Sequence, residues 1–189
     1  MEYVIGAVGL FLVIYVITTH NAILTAKNKV KRSWSDVLVQ LQQKLKILPD
    51  LQAQVQDHKN FESSLLTKIV ELRQSSKSIA AGTMSPKEVE GAEAKFTDIL
   101  KSVSVTVEAY PELKSSDLYK SLMSEIVEQQ EEVSSGILIY NSNVEYFNNM
   151  ISTFPSSIIN SMWNKEKVLD SFHSKELPVD KEIGFNPTL

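Results

Sequence analysis

The first 48 residues constrain this chain most, because an apolar stretch long enough to cross a membrane leads directly into an amphipathic helical pattern. Tyr3–Ile17 contains no charged side chain, and a second apolar group, Ala22–Leu24, follows a short polar interval. At about 1.5 Å per residue, the roughly 22 residues from 3 to 24 span about 33 Å, enough for the hydrocarbon core of a bilayer. No proline occurs before Pro49. One uninterrupted helix is therefore predicted to join the apolar stretch to the rest of the chain.

A cleaved secretory signal is the main alternative for this stretch, as is the buried core helix of a soluble protein. Signal peptides begin with a positively charged region and end at a cleavage site of small residues. Here Glu2 is the one charged side chain before the stretch, and the basic residues follow it. We therefore predict that residues 1–24 form a retained transmembrane anchor.

Four basic side chains follow the predicted anchor: Lys27, Lys29, Lys31 and Arg32. Lys and Arg beside a membrane span tend to remain on the cytoplasmic side, so the N-terminus is predicted outside, with the rest of a single-pass protein in the cytoplasm. The simplest interpretation of the cluster is a solvated helix face. Its position next to an apolar span also predicts contact with anionic lipid headgroups, which makes membrane lipid an expected partner.

Composition excludes several kinds of site in the remaining residues. The chain has no cysteine, which rules out disulfides, thiolate zinc sites and thiol nucleophiles. Residues 1–46 carry six basic and two acidic side chains, whereas residues 107–145 carry two basic and eight acidic ones. No basic stripe interleaved with aromatic residues follows the anchor, so no nucleic-acid partner is expected.

Four stretches of apolar residues at spacings of three and four predict an all-α fold, in which the N-terminal transmembrane helix continues into an antiparallel four-helix bundle over residues 25–160. The predicted inward-facing positions are Trp34, Leu38, Leu41, Leu45 and Leu48; Leu51, Val55, His58, Glu62, Leu65, Ile69 and Leu72; Val89, Ala92, Phe96, Ile99 and Val103; and Leu118, Leu122, Ile126, Val133, Ile137, Tyr140, Val144, Phe147, Ile151 and Phe154.

Local signals predict where these helices begin and end. Pro49 predicts either a tight turn, which we favour, or a kink, with the proline near the first position of the second helix. Gly82 suits a left-handed position after that helix, and Ser85–Glu88 forms a capping box at the start of the third. The fourth is predicted over 116–153. Residues 161–189 are predicted to form a short helix and a flexible tail.

Some positions in these helices have two interpretations. Trp34 is predicted in the core because of its spacing, and otherwise would be an exposed anchor for a partner. Gln129 and Gln130 interrupt the fourth apolar pattern. Gly136 costs about 1 kcal/mol relative to alanine inside a helix, which is consistent with a close approach of a neighbouring helix.

The titratable residues offer weak candidates for catalysis. His58 and Glu62 are at helical spacing and could supply two metal ligands, but a partly exposed polar pair is the simpler interpretation. Glu125, Glu128, Glu131 and Glu132 could supply carboxylates as in di-iron bundles, yet the accompanying Glu-x-x-His pattern is absent, which favours a solvated acidic face. No cofactor is predicted.

The chain resembles the LemA family of bacterial membrane proteins in the order and spacing of many short motifs between residues 20 and 160. The matching residues are Asn21, Asn28, Val30, Trp34–Asp36, Val39–Leu41, Pro49, Leu51, Val55, Glu62, Arg73, Tyr110–Lys114, Tyr140, Asn141, Val144, Asn148, Ile151 and Phe154–Ser156. The resemblance implies a helical bundle on an anchor in the bacterial inner membrane, with the N-terminus outside. It implies no settled biochemical activity.

The sequence departs from the family pattern at polar positions. Leu38 stands where the family usually has an aspartate, and Gln43 and Lys44 replace a usual pair of arginines. Phe61 replaces a histidine that usually precedes the glutamate retained here as Glu62. An activity that depended on those polar side chains is not expected in this chain.

Two functions remain open from the sequence. The favoured one is a noncatalytic membrane-anchored scaffold at the cytoplasmic face, which presents Glu125, Glu128, Glu131 and Glu132 to an unknown protein partner or to another copy of the chain. Leu138 and Ile139, beside the inward-facing positions of the fourth helix, predict a self-association surface or partner groove. The alternative is a membrane-bound metal- or carboxylate-dependent enzyme with its site inside the bundle.

Overall fold

A computed structural model describes residues 1–56, 63–108 and 110–172, which are almost entirely helical and contain no strand. The predicted all-α class is therefore confirmed, with a long apolar N-terminal helix followed by further helices. The helices are α1 Glu2–Leu45, α2 Leu48–Gln56, α3 Ser63–Ala80, α4 Pro86–Glu108, α5 Pro111–Ser115, α6 Asp117–Ser152 and α7 Ser156–Ile159, and a π-helical turn, Asn160–Asn164, follows α7.

Helix α1 contains 44 residues and is about 66 Å long at 1.5 Å per residue. Its apolar N-terminal part is long enough to cross a membrane, and the most apolar 18 residues of this part are not buried in the protein. Every residue from 2 to 14 is exposed, and half-buried side chains first occur at Tyr15. The N-terminal part of α1 is thus a candidate membrane span that continues without a break into packed helix.

The chain passes from α1 to α2 through Lys46 and Ile47. The amides of these two residues donate to the carbonyls of Gln43 and Lys44, three residues back, at 3.0 and 3.2 Å. The connection is therefore a two-residue tightening within one helical run, Glu2–Ala53, which corresponds to the predicted kink and not to the favoured tight turn. Pro49 lies in the first turn of α2, where its missing N–H leaves no intrahelical bond unmade.

Helix α3 ends as its glycine predicts. Gly82 has φ of +66°, and its amide donates to the carbonyl of Ile79 at 2.9 Å, while the Thr83 amide donates to the carbonyl of Ser78 at 3.2 Å. This pair of bonds is the Schellman motif, which satisfies two terminal carbonyls.

Helix α4 begins at the predicted capping box. The Ser85 amide donates to Glu88 Oε2 at 2.7 Å, and the Glu88 amide donates to Ser85 Oγ at 3.4 Å. The bond from the Ser85 amide, with a second bond from Ser85 Oγ to Glu88 Oε2 at 2.7 Å, lowers the pKa of the Glu88 carboxyl. Residues 103–107 alternate in polarity as in a strand but continue this helix, with Val103 and Val107 buried.

Helix α6 is close to its predicted bounds, and Ser116 caps it by accepting a bond from the Tyr119 amide at 3.2 Å. Two predicted inward-facing positions are wrong. Leu118 is 63% exposed and Phe154 is 80% exposed. Tyr119 is buried in place of Leu118, because the first turn of α6 faces inward one residue later than the regular spacing implies.

The chain divides into two compact units, and α1 and α6 contribute to both. Among the described residues, the first contains 1–34 and 137–171, and the second contains those of 35–136 together with Phe172. The predicted division into an anchor ending at residue 24 and a bundle ending at residue 160 stays a prediction.

In the first unit, α1 and α6 run antiparallel. Trp34 contacts Tyr140 with ring centroids 4.9 Å apart, whereas Tyr15, near the other end, lines the same groove as Thr153. The side chains buried in this unit come mainly from facing sides of the two helices, including Ile23, Val144 and Phe147. Trp34 itself is half-buried, which corrects its prediction as a core residue.

The second unit packs the end of α1, α2, α3, α4 and the first part of α6 around an apolar interior. Its fully enclosed side chains include Leu41, Ile69, Phe96, Ile99 and Ile126. With α1 and α2 taken together as one rod, the unit has the four long helical rods that the sequence predicts.

Gly136 permits a close approach of α1 and α6 in this unit. A Cβ atom placed on Gly136 would lie 2.1 Å from Gln40 Oε1 and 3.3 Å from Val37 Cγ2. The first distance is shorter than real Cβ contacts, so the glycine makes room for the Gln40 side chain. The sequence predicts a close approach at Gly136 but not which helix makes it.

Candidate functional site

The four predicted membrane-surface residues differ in their surroundings. Lys29, Lys31 and Arg32 are exposed on α1. Lys27 is partly buried, and its Nζ donates to Glu166 Oε1 and Oε2, both at 2.7 Å. The structure therefore leaves three of the four cationic side chains facing outward and pairs the first with a carboxylate far along the chain.

A second contact joins the same part of α1 to the residues after α7. His20 Nδ1 lies 2.9 Å from Asn164 Oδ1, and Asn164 Nδ2 donates to the His20 carbonyl at 3.4 Å. The His20 and Lys27 contacts together hold the π-helical turn and the residues after it against α1.

Hydrogen bonds between a side chain and the backbone fix the shape of residues 160–166. Asn160 Nδ2 donates to the Glu166 carbonyl, and the Glu166 amide donates to Asn160 Oδ1, both at 3.0 Å. Lys165 between them has a left-handed φ of 52°. The buried Asn160 side chain thus closes a tight loop that presents Glu166 to Lys27.

The residues after this loop return along α6. Asn148 accepts from the Leu169 amide at 2.9 Å and donates to the Leu169 carbonyl at 2.8 Å. Tyr140 Oη donates to the Asp170 carbonyl at 3.4 Å. Burial, with the nearby Asp170 charge, raises the pKa of the Tyr140 hydroxyl. Tyr140 and Asn148, two residues of the family resemblance, therefore hold the segment after α7 in place.

An open groove of about 520 Å³ lies beside this region, between α1 and the last turns of α6. Its lining includes Tyr15, Thr18 and Ala22 from α1, and Tyr146 and Met150 from α6. The lining is largely apolar with hydroxyl groups at its edges, which suits an amphipathic ligand better than a polar substrate.

The predicted acidic residues of α6 are Glu125, Glu128, Glu131 and Glu132, and all four are exposed. Carboxylates at these positions face away from the unit's interior, so they do not form the internal metal site of the enzyme hypothesis. Among residues 1–56, 63–108 and 110–172, no three His, Asp or Glu side chains are grouped to hold a metal ion. His58 and Glu62 lie outside the described residues.

The interior of the second unit contains an ion pair that the sequence reasoning missed. Lys44 Nζ is 2.7 Å from Glu93 Oε2 and also donates to Gln130 Oε1. It lies 4.2 Å from the centroid of the Phe96 ring. Lys44, Glu93 and Gln130 are all buried. Desolvation lowers the pKa of Lys44, and the Glu93 carboxylate partly opposes that shift.

A sequence signal for this cluster was available. Gln130 lies four residues after Ile126 and three before Val133, both inward-facing, so the residue that interrupts the apolar pattern occupies a regular inward position. Lys44 similarly follows Leu41 by three. Lys44 pairs with Glu93 and Gln130, while Glu93 Oε1 has no hydrogen-bond partner among the described residues, and the cluster is a structural element of the interior.

These observations define a class: an all-α protein with a candidate membrane span in its longest helix, an exposed acidic row and an internally paired polar cluster. The chain belongs to the LemA family, whose sequence model matches residues 33–182.

Similar proteins agree with that assignment. Protein LemA of Metamycoplasma hominis is 28% identical over 152 residues, covering 80% of this chain and 68% of that protein. Magnetosome protein MamQ 2 of Paramagnetospirillum magneticum is 27% identical over 103 residues, covering 54% of this chain and 35% of that protein. Magnetosome protein MamQ of Magnetospirillum gryphiswaldense is 25% identical over 103 residues, with the same coverage. The match therefore spans about a third of the magnetosome proteins.

Proposed function

We propose that this protein is a noncatalytic, membrane-anchored interaction module that presents the acidic side of α6 to another protein. The observation that carries the proposal is the exposure of Glu125, Glu128, Glu131 and Glu132, while Ile126, Gln130 and Val133 on the other side of the helix are buried. The buried side of α6 packs against the interior of the second unit. Its exposed side is therefore available to bind a partner protein.

The proposed location is the bacterial inner membrane, with one span, the N-terminus outside and the bundle in the cytoplasm. The support is the exposed apolar start of α1 followed within one helix by exposed Lys29, Lys31 and Arg32. Cationic residues favour the cytoplasmic side and anionic headgroups.

The proposed partner has a basic surface with an apolar border. Residues 125, 128, 132, 135 and 139 follow spacings of three and four, so they form one stripe along α6. Beyond its acidic part, the stripe reaches Ile139, which is 59% exposed, next to Leu138, which is 70% exposed. Attraction between opposite charges would raise the association rate with the partner, and the apolar end of the stripe would slow dissociation. A second copy of the chain is one candidate for that partner.

Site-specific crosslinking in intact membranes tests the proposal. A photoreactive side chain at the exposed Ser135 position lies inside the stripe and is expected to give one recurrent crosslinked species. Glu128→Gln with Glu132→Gln should lower its yield, and raised salt should act in the same direction, because the attraction is between exposed charges.

Glu90→Gln with Asp98→Asn is the matched control. It makes the same charge change at two exposed positions of α4 and should leave the yield unchanged. Recovery of monomer alone, or an equal loss from both double variants, contradicts the proposed surface.

A further inference from the structure

Between the end of α6 and Lys165, four large apolar side chains are exposed although neighbouring backbone groups are hydrogen-bonded. The exposed fractions are 80% for Phe154, 49% for Ile158, 59% for Met162 and 54% for Trp163. We name these four residues the C-terminal apolar patch. Ile158 lies in α7, and Met162 and Trp163 lie in the π-helical turn that follows it directly, so these side chains are candidates for a continuous surface.

Hydrogen bonds place this patch beside the candidate membrane span. Asn164, adjacent to Trp163, bonds the side chain and carbonyl of His20. At the other end of the patch, Thr153 and Ser156 line the groove with Tyr15 and Thr18. The patch therefore lies at the level of residues 15–22 of α1.

The length of the uncharged stretch of α1 indicates that lipid surrounds the patch. Residues 2–14 are exposed on all sides, but the stretch without Asp, Glu, Lys or Arg runs from Tyr3 to Ala26, and a hydrocarbon core of about 30 Å needs about 20 such residues. A bilayer crossed by α1 must therefore extend to the level of residues 15–22. The surface of the protein at that level consists in part of the C-terminal apolar patch.

The charges next to the patch fit the headgroup layer. Lys165 and Lys167 are exposed immediately after Trp163. Glu166 between them is drawn inward by Lys27, and its side chain is only 18% exposed. The outward charge of the loop is therefore positive, which suits anionic phospholipids, and Trp is the side chain most suited to the boundary between headgroups and acyl chains.

We propose that residues 154–167 are a second membrane-contact element, in which the C-terminal apolar patch enters the boundary between headgroups and acyl chains while Lys165 and Lys167 contact anionic headgroups. The occupant of this surface is the lipid bilayer itself, next to the anchor. The inference rests on the proposed anchor, and it adds a lipid contact about 140 residues further along the chain.

Tryptophan fluorescence tests this directly because the chain has two tryptophans. Trp34→Phe leaves Trp163 as the only tryptophan. The full-length variant is reconstituted into vesicles of phosphatidylcholine and phosphatidylglycerol that carry bromine either near the headgroup or near the chain ends. We expect about twofold quenching from bromine near the headgroup and less from bromine at the chain ends, as for an interfacial tryptophan.

Two further variants separate this inference from the anchor. Trp163→Phe leaves Trp34, half-buried against Tyr140, which should be insensitive to either lipid. Phe11→Trp in the Trp34→Phe, Trp163→Phe background reports on the span and should be quenched most by bromine at the chain ends.

The outcomes distinguish the two proposals. Quenching of the Phe11→Trp reporter without quenching of Trp163 overturns the C-terminal contact and keeps the anchor. Absence of quenching in both overturns both. Quenching of Trp163 that is equal in vesicles of phosphatidylcholine alone supports apolar insertion and contradicts the role given to Lys165 and Lys167.

Discussion

Lys44 shows how a polar side chain can belong to an apolar interior. Its ammonium group pairs with Glu93, bonds Gln130 and lies over the ring of Phe96. Removing two charges from water costs several kcal/mol each, roughly recovered by their attraction when the geometry is good. The pair is therefore expected to contribute little net stability while making the loss of either partner costly.

Single and double replacement of this pair should differ in how much stability they cost. Lys44→Met leaves Glu93 buried without its cation and should lower the free energy of unfolding by about 3–5 kcal/mol. Lys44→Met with Glu93→Leu should recover most of that loss, because apolar side chains of similar volume are tolerated in such positions. Denaturant titration of the full chain in detergent measures both. Additive losses in the double variant would falsify the pairing.

Gly136 allows a second test at the residue scale. Alanine at this position gains about 1 kcal/mol of helix propensity, but its Cβ meets Gln40 Oε1. Gly136→Ala should therefore stabilise the Gln40→Ala variant by about 1 kcal/mol and the unmodified chain by clearly less. The same denaturant titration gives the coupling. Equal gains in the two backgrounds would show that Gln40 does not restrict the site.

Sequence reasoning succeeded for Gly136 and failed for Lys44, and the difference is physical. A glycine inside a strong helical pattern has a local cost, which itself signals a compensating contact. The spacing of Lys44 from Leu41 indicates an inward position, but it does not identify the partners of the lysine on α4 and α6. Glu93 and Gln130 are separated from Lys44 by 49 and 86 residues, so no local pattern connects them.

At the scale of helices, the boundaries were predicted best where one short motif controls them. The Ser85 capping box and Gly82 need only neighbouring residues, and both are present as predicted. The start of α6 was predicted, but its inward side was wrong at Leu118, since a regular spacing extrapolated from the middle of a helix does not include the shift of its first turn. The segment after α7 was predicted only as short helix, because its order depends on Lys27 and His20.

The α4 cap should give a pH dependence of stability. Its hydrogen bonds lower the pKa of Glu88 below the ordinary value of 4.5, so the stabilisation is fully present above that value and is lost as the pH falls through the lower pKa of the folded state. The difference in unfolding free energy between the unmodified chain and Glu88→Gln should therefore shrink on acidification below 4.5.

Glu90→Gln is the matched control for this cap. Glu90 is exposed in the same helix, two residues further on and outside the capping box. Denaturant titrations between neutral and acidic pH should show a much smaller change for this variant. A constant difference between the unmodified chain and Glu88→Gln over that range would contradict the role of the ionised carboxylate in the cap.

At the scale of the whole molecule, the arrangement across the membrane is the most testable expectation. The chain has no cysteine, so Glu2→Cys and Ser121→Cys each introduce a single thiol, both at exposed positions. In intact cells, a membrane-impermeant maleimide should label the first and not the second. Ser121→Cys should be labelled after the membrane is opened, and labelling before that step would contradict a cytoplasmic bundle.

The sequence predicted the helical class and the long apolar N-terminal helix because both depend on composition and period. It did not predict the division into two compact units, since α1 and α6 each contribute to both of them. That division depends on which residues meet across more than a hundred positions of chain. The sequence also did not predict the C-terminal apolar patch. Its position beside α1 depends on the contact between Asn164 and His20, which are far apart in the chain.

The antiparallel packing of α1 and α6 in the first unit also affects how the protein is made. Residues up to 34 leave the ribosome before the residues from 137 onward that cover them, and synthesis of the intervening stretch takes roughly 5–20 s at typical rates of translation. During that interval Ile23, Ala26 and Val30, which are buried in the finished protein, have no partner from α6. We therefore expect the apolar side of residues 23–30 to stay uncovered by α6 until the last third of the chain has been made.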